Sequence, residues 1–343
     1  MLSEYVDFRE ALNEVQKLYA CALYKCESNN RDCVEKLTLE YKAYQKNLEK
    51  RYLAIPDLSE PDDQWINFED IIHAAPQATI QCHALNEDSL PDKMTGAIIG
   101  RLSGCILGVP VESWSSDDIH DMAMQFGDSF PPTNYWSNVY YPSRFLHHGW
   151  AKKSEYTRLG MNEAPVDDDT GFTILDLLVL EKYGADFQTS DIANIWKEHL
   201  PFAHTAEDIA LKNIKDGLPI QDIAIDGNPY TEWIGGYIRS DGWAWSCPGN
   251  PRKAAEFAWR DAFLTHRKNG MYGEIFFSAV EAAAFTEDSI DDLIKIGLQY
   301  IPQNCRLAKD VRWVLSQKNN VRTWRDAVEL VTQRFQGMAR VHT

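Results

Sequence analysis

The sequence predicts an all-α protein. In most of its segments, apolar residues recur at the three- and four-residue spacing of a helix face, as they do from Pro251 to Phe263 and from Ile290 to Tyr300. No segment sustains the alternation of polar and apolar residues that is typical of a half-buried strand. The chain has 343 residues, of which 44% are hydrophobic, so it can bury a large core. We therefore expect one large helical domain, or such a domain with an appendage.

The N-terminal part predicts a helical hairpin. Helical spacing runs from Glu4 to Cys26 and again from Asp32 to Leu53, with the turn-forming residues Ser28, Asn29 and Asn30 between them. The hairpin is rich in Lys, Glu and Tyr and carries no chemical motif, so we interpret it as a packing or dimerising appendage. Residues 55–92 are rich in Pro, Asp and Gln, which predicts a boundary between an extension and linker (1–90) and a main domain (91–343).

Composition excludes several classes of protein. The formal net charge is −17, from 51 acidic against 34 basic residues, which argues against a nucleic-acid surface or an anionic membrane surface. The N-terminal segment carries Glu4, Asp7 and Glu10, so it is not a signal peptide, and we expect no apolar run of membrane-spanning length. The seven cysteines form no C-x-x-C pair, so we expect reduced thiols in a cytoplasmic protein.

A glycine-rich segment from Met94 to Val111 predicts a central helix. Its glycines lie four residues apart and therefore share one helical face: Gly96, Gly100, Gly104 and Gly108. Each costs about 1 kcal/mol of helix propensity relative to Ala, so we expect close packing of a neighbouring helix to offset the loss. Glu112 follows the end of this helix, where a lone glutamate is usually a solvated residue.

Three consecutive carboxylates, Asp167, Asp168 and Asp169, precede an apolar run that predicts a buried helix. At a helix N-terminus consecutive side chains can converge, and carboxylate oxygens are the ligands that hard cations prefer. One of these residues could equally cap the helix, with the others favoured by its dipole. The residues alone leave a metal site and simple capping equally open.

Further helices are predicted downstream of this cluster. Their apolar-periodic segments are Ser190 to His199, Thr205 to Lys215, Pro251 to Phe263, Tyr272 to Thr286 and Ile290 to Tyr300. A long loop from Asn228 to Asn250 carries several tryptophans. Long loops of this kind often form ligand-binding sites, although any one tryptophan is more often a packing residue.

Three segments together resemble the ADP-ribosylglycohydrolase family. They are GAIIGRLSGCILGVPVE (Gly96 to Glu112), DDDT (Asp167 to Thr170), and Thr265-His266 followed by Gly270-Met271-Tyr272-Gly273. Each motif alone is weak, but their order and approximate separations also fit the family. The resemblance covers the chain from about residue 93 onward and looks like a bacterial branch with an N-terminal extension.

The resemblance implies an all-helical, dinuclear Mg²⁺ or Mn²⁺ hydrolase of bonds that join ADP-ribose to an acceptor. It implies metal ligands at Asp167, Asp168 and Asp169, catalytic roles for Glu112 and Asp168, and substrate contacts at His266, Gly270, Tyr272 and Gly273. Asp167 stands where relatives carry threonine. Tyr272 and Gly273 are expected to open a helix whose backbone amides suit a diphosphate. His266 could equally be a structural hydrogen-bonding residue. The implied partner is an ADP-ribosylated substrate or a small ADP-ribosyl compound.

The sequence departs from the family in one respect. Relatives carry a second metal motif, an Asp-x-Asp-Thr-like run at the start of a late helix, and nothing after Thr173 matches it. We therefore expect a domain that is incomplete at its C-terminus. Three explanations stay open: the protein is truncated, another polypeptide completes it, or it binds its ligand without catalysis. Three functions stay open: hydrolysis of ADP-ribosyl linkages, hydrolysis of another glycoside on the same fold, and non-catalytic binding of ADP-ribose or a nucleotide.

Overall fold

The structure is a computed structural model that describes residues 31–53, 64–77, 79–112, 114–139, 146–147 and 151–335. Its regular structure is helical apart from one pair of two-residue strands, which confirms the all-α prediction. In chain order the α-helices are α1 Arg31–Leu53, α2 Phe68–Ala74, α3 Leu90–Gly108, α4 Ser116–Phe126, α5 Asp168–Tyr183, α6 Thr189–His199, α7 Thr205–Lys215, α8 Ile220–Ile223, α9 Ser240–Trp245, α10 Pro251–Thr265, α11 Lys268–Ala283, α12 Ile290–Leu298, α13 Arg306–Gln317 and α14 Trp324–Phe335.

Shorter elements connect these helices. The 3-10 helices are Glu87–Ser89, Val109–Val111, Lys153–Tyr156, Gly184–Asp186 and Ile234–Arg239. The strands β1 (Leu146–His147) and β2 (Ala151–Lys152) form one antiparallel pair. The chain divides into two compact units, one comprising Met1–Pro61 with Arg306–His342 and the other Asp62–Cys305. The domain boundary expected near residue 90 stays a prediction.

The smaller unit contains α1, α13 and α14. Helix α1 matches the second helix of the predicted hairpin, whereas the first helix, Glu4 to Cys26, lies outside the described residues. Dimerisation through the hairpin stays a prediction. Cys33 in α1 is disulfide-bonded, so the expectation of reduced thiols throughout is wrong at this residue. The cytoplasmic location stays a prediction.

The core of the larger unit lies among α5, α6, α7, α9 and α10. Aromatic side chains fill its centre: Phe187 stacks on Trp243 with ring centroids 4.9 Å apart, and Phe257 lies 4.9 Å from Phe187 on another side. Phe172 of α5 contacts Trp196 of α6 at 5.2 Å. Fully burying one such side chain contributes about 1.5–3 kcal/mol, so these contacts hold the helices in place. Trp243, from the long tryptophan-rich loop, is therefore a packing residue.

All five helices predicted downstream of Asp169 are confirmed. The largest difference concerns α11, which begins at Lys268 rather than at Tyr272. Tyr272 and Gly273 therefore lie beyond the first turn of α11. Because only the first few N–H groups of a helix lack an intrahelical acceptor, the amides of these two residues are not available to a diphosphate as expected.

The prediction of a buried, closely packed glycine helix is wrong for α3. Among its residues only Ile106 is buried, and a Cβ placed on any of the four glycines would meet no neighbouring atom within 4 Å. Ile98 and Ile99 are also exposed, at 45% and 56%. Helical spacing shows which residues share a face, but it does not show that another helix covers that face.

The expectation that no apolar run reaches membrane-spanning length is also wrong. By length and composition alone, Glu87–Val111 is long and apolar enough to cross a membrane, and 17% of its apolar 18-residue window is buried. Within it, Arg101 forms ion pairs with Asp169 and Asp241, and Ile106 packs in a cluster with Tyr156. Arg101 and Ile106 thus attach this segment to the larger unit.

Candidate active site

The first turn of α5 holds the three predicted metal ligands. Asp167 is the N-cap residue, and its Oδ1 accepts a hydrogen bond from the Asp168 amide at 2.9 Å. Asp168 Oδ1 accepts from the Asp169 amide at 3.2 Å. Capping is therefore observed, as the simpler interpretation proposed. It uses only one oxygen of each of these carboxylates.

The second oxygen of Asp167 is the feature that capping does not explain. Asp167 is only 1% exposed, and its Oδ2 has no hydrogen-bond partner. Burial of a carboxylate oxygen without a partner is costly. A cation bound beside Oδ2 would remove that cost. The donor set at this position therefore fits a metal ion.

Helix α3 brings a thiol to the same place. Cys105 Sγ, one oxygen of Asp167 and one oxygen of Asp169 all lie within 4.8 Å of one another. Burial raises the pKa of Cys105 to about 12, and the charges of Asp169 and Asp167 add to this effect. Without a cation, the thiol therefore keeps its proton at neutral pH.

Crowded carboxylates raise each other's pKa values in this cluster. The pKa of Asp167 is raised to about 8, first by burial and then by a hydrogen bond with the Asp168 side chain and by the charges of Asp168 and Asp169, whereas the bond from the Asp168 amide lowers it. The pKa of Asp169 is raised to about 6 by burial and by the charge of Asp168, although Arg101 opposes the shift. Because a bound cation favours the charged form of a carboxylate, it would reverse these shifts.

Arg101, four residues before Cys105 on α3, is the counter-charge of the cluster. Its Nη1 lies 3.2 Å from Asp169 Oδ1, and its Nε donates a short hydrogen bond to Asp241 of α9. Burial lowers the pKa of Arg101, but the bond to Asp241 and the nearby carboxylates outweigh it and raise the pKa above its usual value. One guanidinium thus joins α3, α5 and α9.

A second carboxyl lies behind this bridge. Glu281 of α11 accepts a hydrogen bond from Ser240 at 2.9 Å. Its pKa is raised well above the usual value, first by burial and then by the charge of Asp241 and a hydrogen bond with it. Burial and the neighbouring Asp241 therefore both favour the protonated form of Glu281.

Glu112, the predicted catalytic residue, lies just after the 3-10 helix that follows α3, and it is exposed. Its charge is one of the effects that raise the pKa of Asp169, after burial and Asp168. It also opposes the lowering of the Lys153 pKa that burial causes. Glu112 therefore acts electrostatically on the same cluster.

The predicted substrate residues lie in the interior. His266, Gly270, Tyr272 and Gly273 are all buried. The Tyr272 hydroxyl donates to the Trp65 carbonyl at 2.9 Å, and a Cβ on Gly273 would overlap the ring of Tyr237. The structure places these residues in helix packing, and their role as substrate contacts stays a prediction.

His266 borders a buried ionic network around Arg239, which is 0% exposed. Arg239 donates to Glu207 of α7 at 2.6 Å, to Asp261 of α10 at 2.7 Å and to Glu274 of α11 at 3.0 Å. Burial and the positive charge of Arg239 hold the pKa of His266 well below its usual value, so the imidazole is neutral.

Sequence reasoning missed Arg101, Cys105, Asp241 and Glu281. The spacing of Arg101 and Cys105 was a usable signal, because residues four apart lie on one helical face. The positions of Asp241 and Glu281 depend on how α9 and α11 pack, and no local pattern indicates that packing.

One comparison with known proteins identifies a family. A family model described as ADP-ribosylglycohydrolase matches residues 86–342, which is most of the chain. A search of curated proteins returned no match.

Proposed function

The chain belongs to the ADP-ribosylglycohydrolase family, and from this premise we propose that it is a metal-dependent hydrolase of N- or O-glycosidic bonds to ADP-ribose. The observation that supports the proposal is the buried, unpartnered oxygen of Asp167, which lies in one cluster with Asp169 at a helix start. Asp167, Asp168 and Asp169 would hold a divalent cation, which we propose to be Mg²⁺ or Mn²⁺ when oxygen ligands alone contribute.

Such a cation, when bound, polarises oxygen atoms of substrate and water. The residues of the chain provide the remaining functions. Glu112 is exposed and electrostatically coupled to Asp169, so it can exchange a proton with a water molecule or with the departing acceptor. Arg101 holds Asp169 from the side of α3, which limits the orientations of that carboxylate.

The test uses the full 343-residue chain and peptides that carry ADP-ribose through N- and O-glycosidic bonds. Release of ADP-ribose is measured with Mg²⁺, with Mn²⁺ and with a chelator. We expect turnover with a divalent ion and its loss in Asp168→Asn. Isothermal calorimetry of the same ions on wild type and on Asp169→Asn reports the site itself. Indistinguishable isotherms would refute the metal site.

A non-catalytic role is the second candidate, because no residues after Thr173 match the second metal motif of the family. In that case the chain would bind ADP-ribose without cleaving any peptide of the panel. Adding a polypeptide that carries the late Asp-x-Asp-Thr helix separates the two cases. Metal-dependent turnover that appears only with this polypeptide would show that the chain is completed from outside. Turnover of a different glycoside would favour the remaining candidate, a hydrolase of another glycoside on the same fold.

A further inference from the structure

We propose that the Cys105 thiolate is a ligand of the metal at the start of α5, and that the site therefore selects a thiophilic divalent ion such as Zn²⁺ over Mg²⁺. The inference rests on the proposed metal site. It goes further because it adds a ligand from α3 and names the class of ion. A site with oxygen ligands alone would instead prefer Mg²⁺ or Mn²⁺.

Geometry supports a three-residue ligand set. Cys105 Sγ and the oxygens of Asp167 and Asp169 lie within 4.8 Å of one another. Zinc binds thiolate sulfur at about 2.3 Å and carboxylate oxygen at about 2.0–2.2 Å, so its ligand atoms lie roughly 3.5 Å apart. The present separations, which are at most 4.8 Å, would shorten to that value on binding. The fourth position of a tetrahedral ion would then be open to water or substrate, as in catalytic zinc sites.

The environment of Asp167 is the independent observation. Asp167 is 1% exposed. Its Oδ1 accepts a hydrogen bond from the Asp168 amide, and its Oδ2 has no hydrogen-bond partner. A buried oxygen of this kind requires a proton donor or a cation. Because the same carboxylate belongs to the cluster with Cys105 Sγ, a cation that satisfies it also lies within reach of the thiol.

The choice of ion follows from ligand chemistry. Mg²⁺ takes oxygen ligands in near-octahedral geometry and keeps several waters, whereas thiolate ligands select softer ions such as Zn²⁺. On binding, the metal–sulfur bond replaces the S–H bond of Cys105, and the proton passes to solvent. No oxidation or reduction is involved. Arg101 remains paired with Asp169 and offsets part of the negative charge of the ligand set.

The experiment is a titration of the full chain with Co²⁺, followed by absorption spectroscopy. Thiolate bound to Co²⁺ gives a charge-transfer band in the near ultraviolet, which oxygen ligands do not give. We expect the band in wild type and its loss in Cys105→Ser and in Asp169→Asn. Cys82→Ser is the matched control, because Cys82 is also a free, half-buried thiol, and it should keep the band. Circular dichroism of each variant verifies folding.

A competition experiment measures selectivity. We expect Zn²⁺ to displace Co²⁺ from wild type at equimolar concentration, while Mg²⁺ in large excess does not. Cys105→Ser should weaken Zn²⁺ binding by at least roughly tenfold. Removal of a residue that only hydrogen-bonds a metal ligand already lowers metal affinity by about that factor, so removal of a ligand should lower it at least as much.

The outcomes separate this inference from the proposed function. Stoichiometric Co²⁺ binding without the charge-transfer band, or a band that persists in Cys105→Ser, would overturn the thiolate ligand and leave the carboxylate site standing. Failure of wild type to bind Co²⁺, Zn²⁺, Mg²⁺ or Mn²⁺ would overturn both proposals.

Discussion

Arg101 Nη1 lies 3.2 Å from Asp169 Oδ1, while Nε of the same guanidinium donates to Asp241. A single positive charge on α3 thus bridges carboxylates of α5 and α9, as a divalent ion would. The pair is about three-quarters buried, so solvent screens it less than a surface ion pair. The protein therefore supplies part of the positive charge at its acidic cluster from its own side chains.

Arg101→Gln should have opposite effects on the metal-free and metal-bound protein. Loss of the guanidinium leaves Asp169 and Asp241 without their partner, which we expect to lower the free energy of unfolding by about 1–3 kcal/mol without metal. The same loss removes a competing positive charge, so divalent ions should bind more tightly and stabilise the variant more than wild type. Urea unfolding with and without Mn²⁺ measures both effects. Arg158→Gln is the control, because Arg158 pairs with Asp128 away from this cluster. Weaker metal binding in Arg101→Gln would contradict the prediction.

Glu112→Gln should affect chemistry more than folding. Glu112 is exposed, and exposed substitutions usually change stability by no more than about 0.5 kcal/mol, so the melting temperature should stay within a few degrees. Turnover of an ADP-ribosylated peptide should fall steeply because the proton-transfer group is gone. A variant as active as wild type would show that Glu112 is a bystander.

His266 should make the protein less stable in acid. Its pKa is held well below 6.5 by burial and by Arg239, so the unfolded chain binds a proton below about pH 6.5 that the folded protein does not. Above that pH, His266 is neutral in both states and does not make stability depend on pH. Below it, the free energy of unfolding falls as the pH drops, with a slope of up to about 1.4 kcal/mol per pH unit. The measurement is urea unfolding of wild type and His266→Gln between pH 5 and 7. The variant should show the shallower slope, and equal slopes would contradict the assignment.

Gly273→Ala should destabilise the protein through Tyr237. A Cβ at this position would overlap the Tyr237 ring, and overpacking of this kind typically costs about 1–3 kcal/mol. Gly273→Ala/Tyr237→Ala should recover part of that loss, which identifies the ring as the cause. Gly96→Ala is the matched control on an open helical face, where alanine should add about 1 kcal/mol. An equal effect of both glycine substitutions on the denaturation midpoint would refute the steric explanation.

The sequence predicted helices well because periodic apolar residues report local structure. Pro251 begins α10 as expected, and Asp167 caps α5 as one of the two interpretations of the acidic run proposed. The exposed glycine face of α3 was predicted wrongly, because spacing carries no information about what lies opposite a face. Glu112 and the three aspartates could be chosen from motifs. The contact of Asp241 with Arg101 joins residues 140 positions apart, and only the packed helices bring them together.

The network around Arg239 has a consequence for how the larger unit opens. Its carboxylates come from α7, α10 and α11, and the guanidinium itself is fully enclosed. If one of these helices detached alone, a buried charge would lose a partner while the others still excluded water from it, which is costly. Partial opening at this point is therefore disfavoured relative to collective opening. The three helices should behave as one cooperative block in hydrogen exchange, with similar protection of their slowest amides.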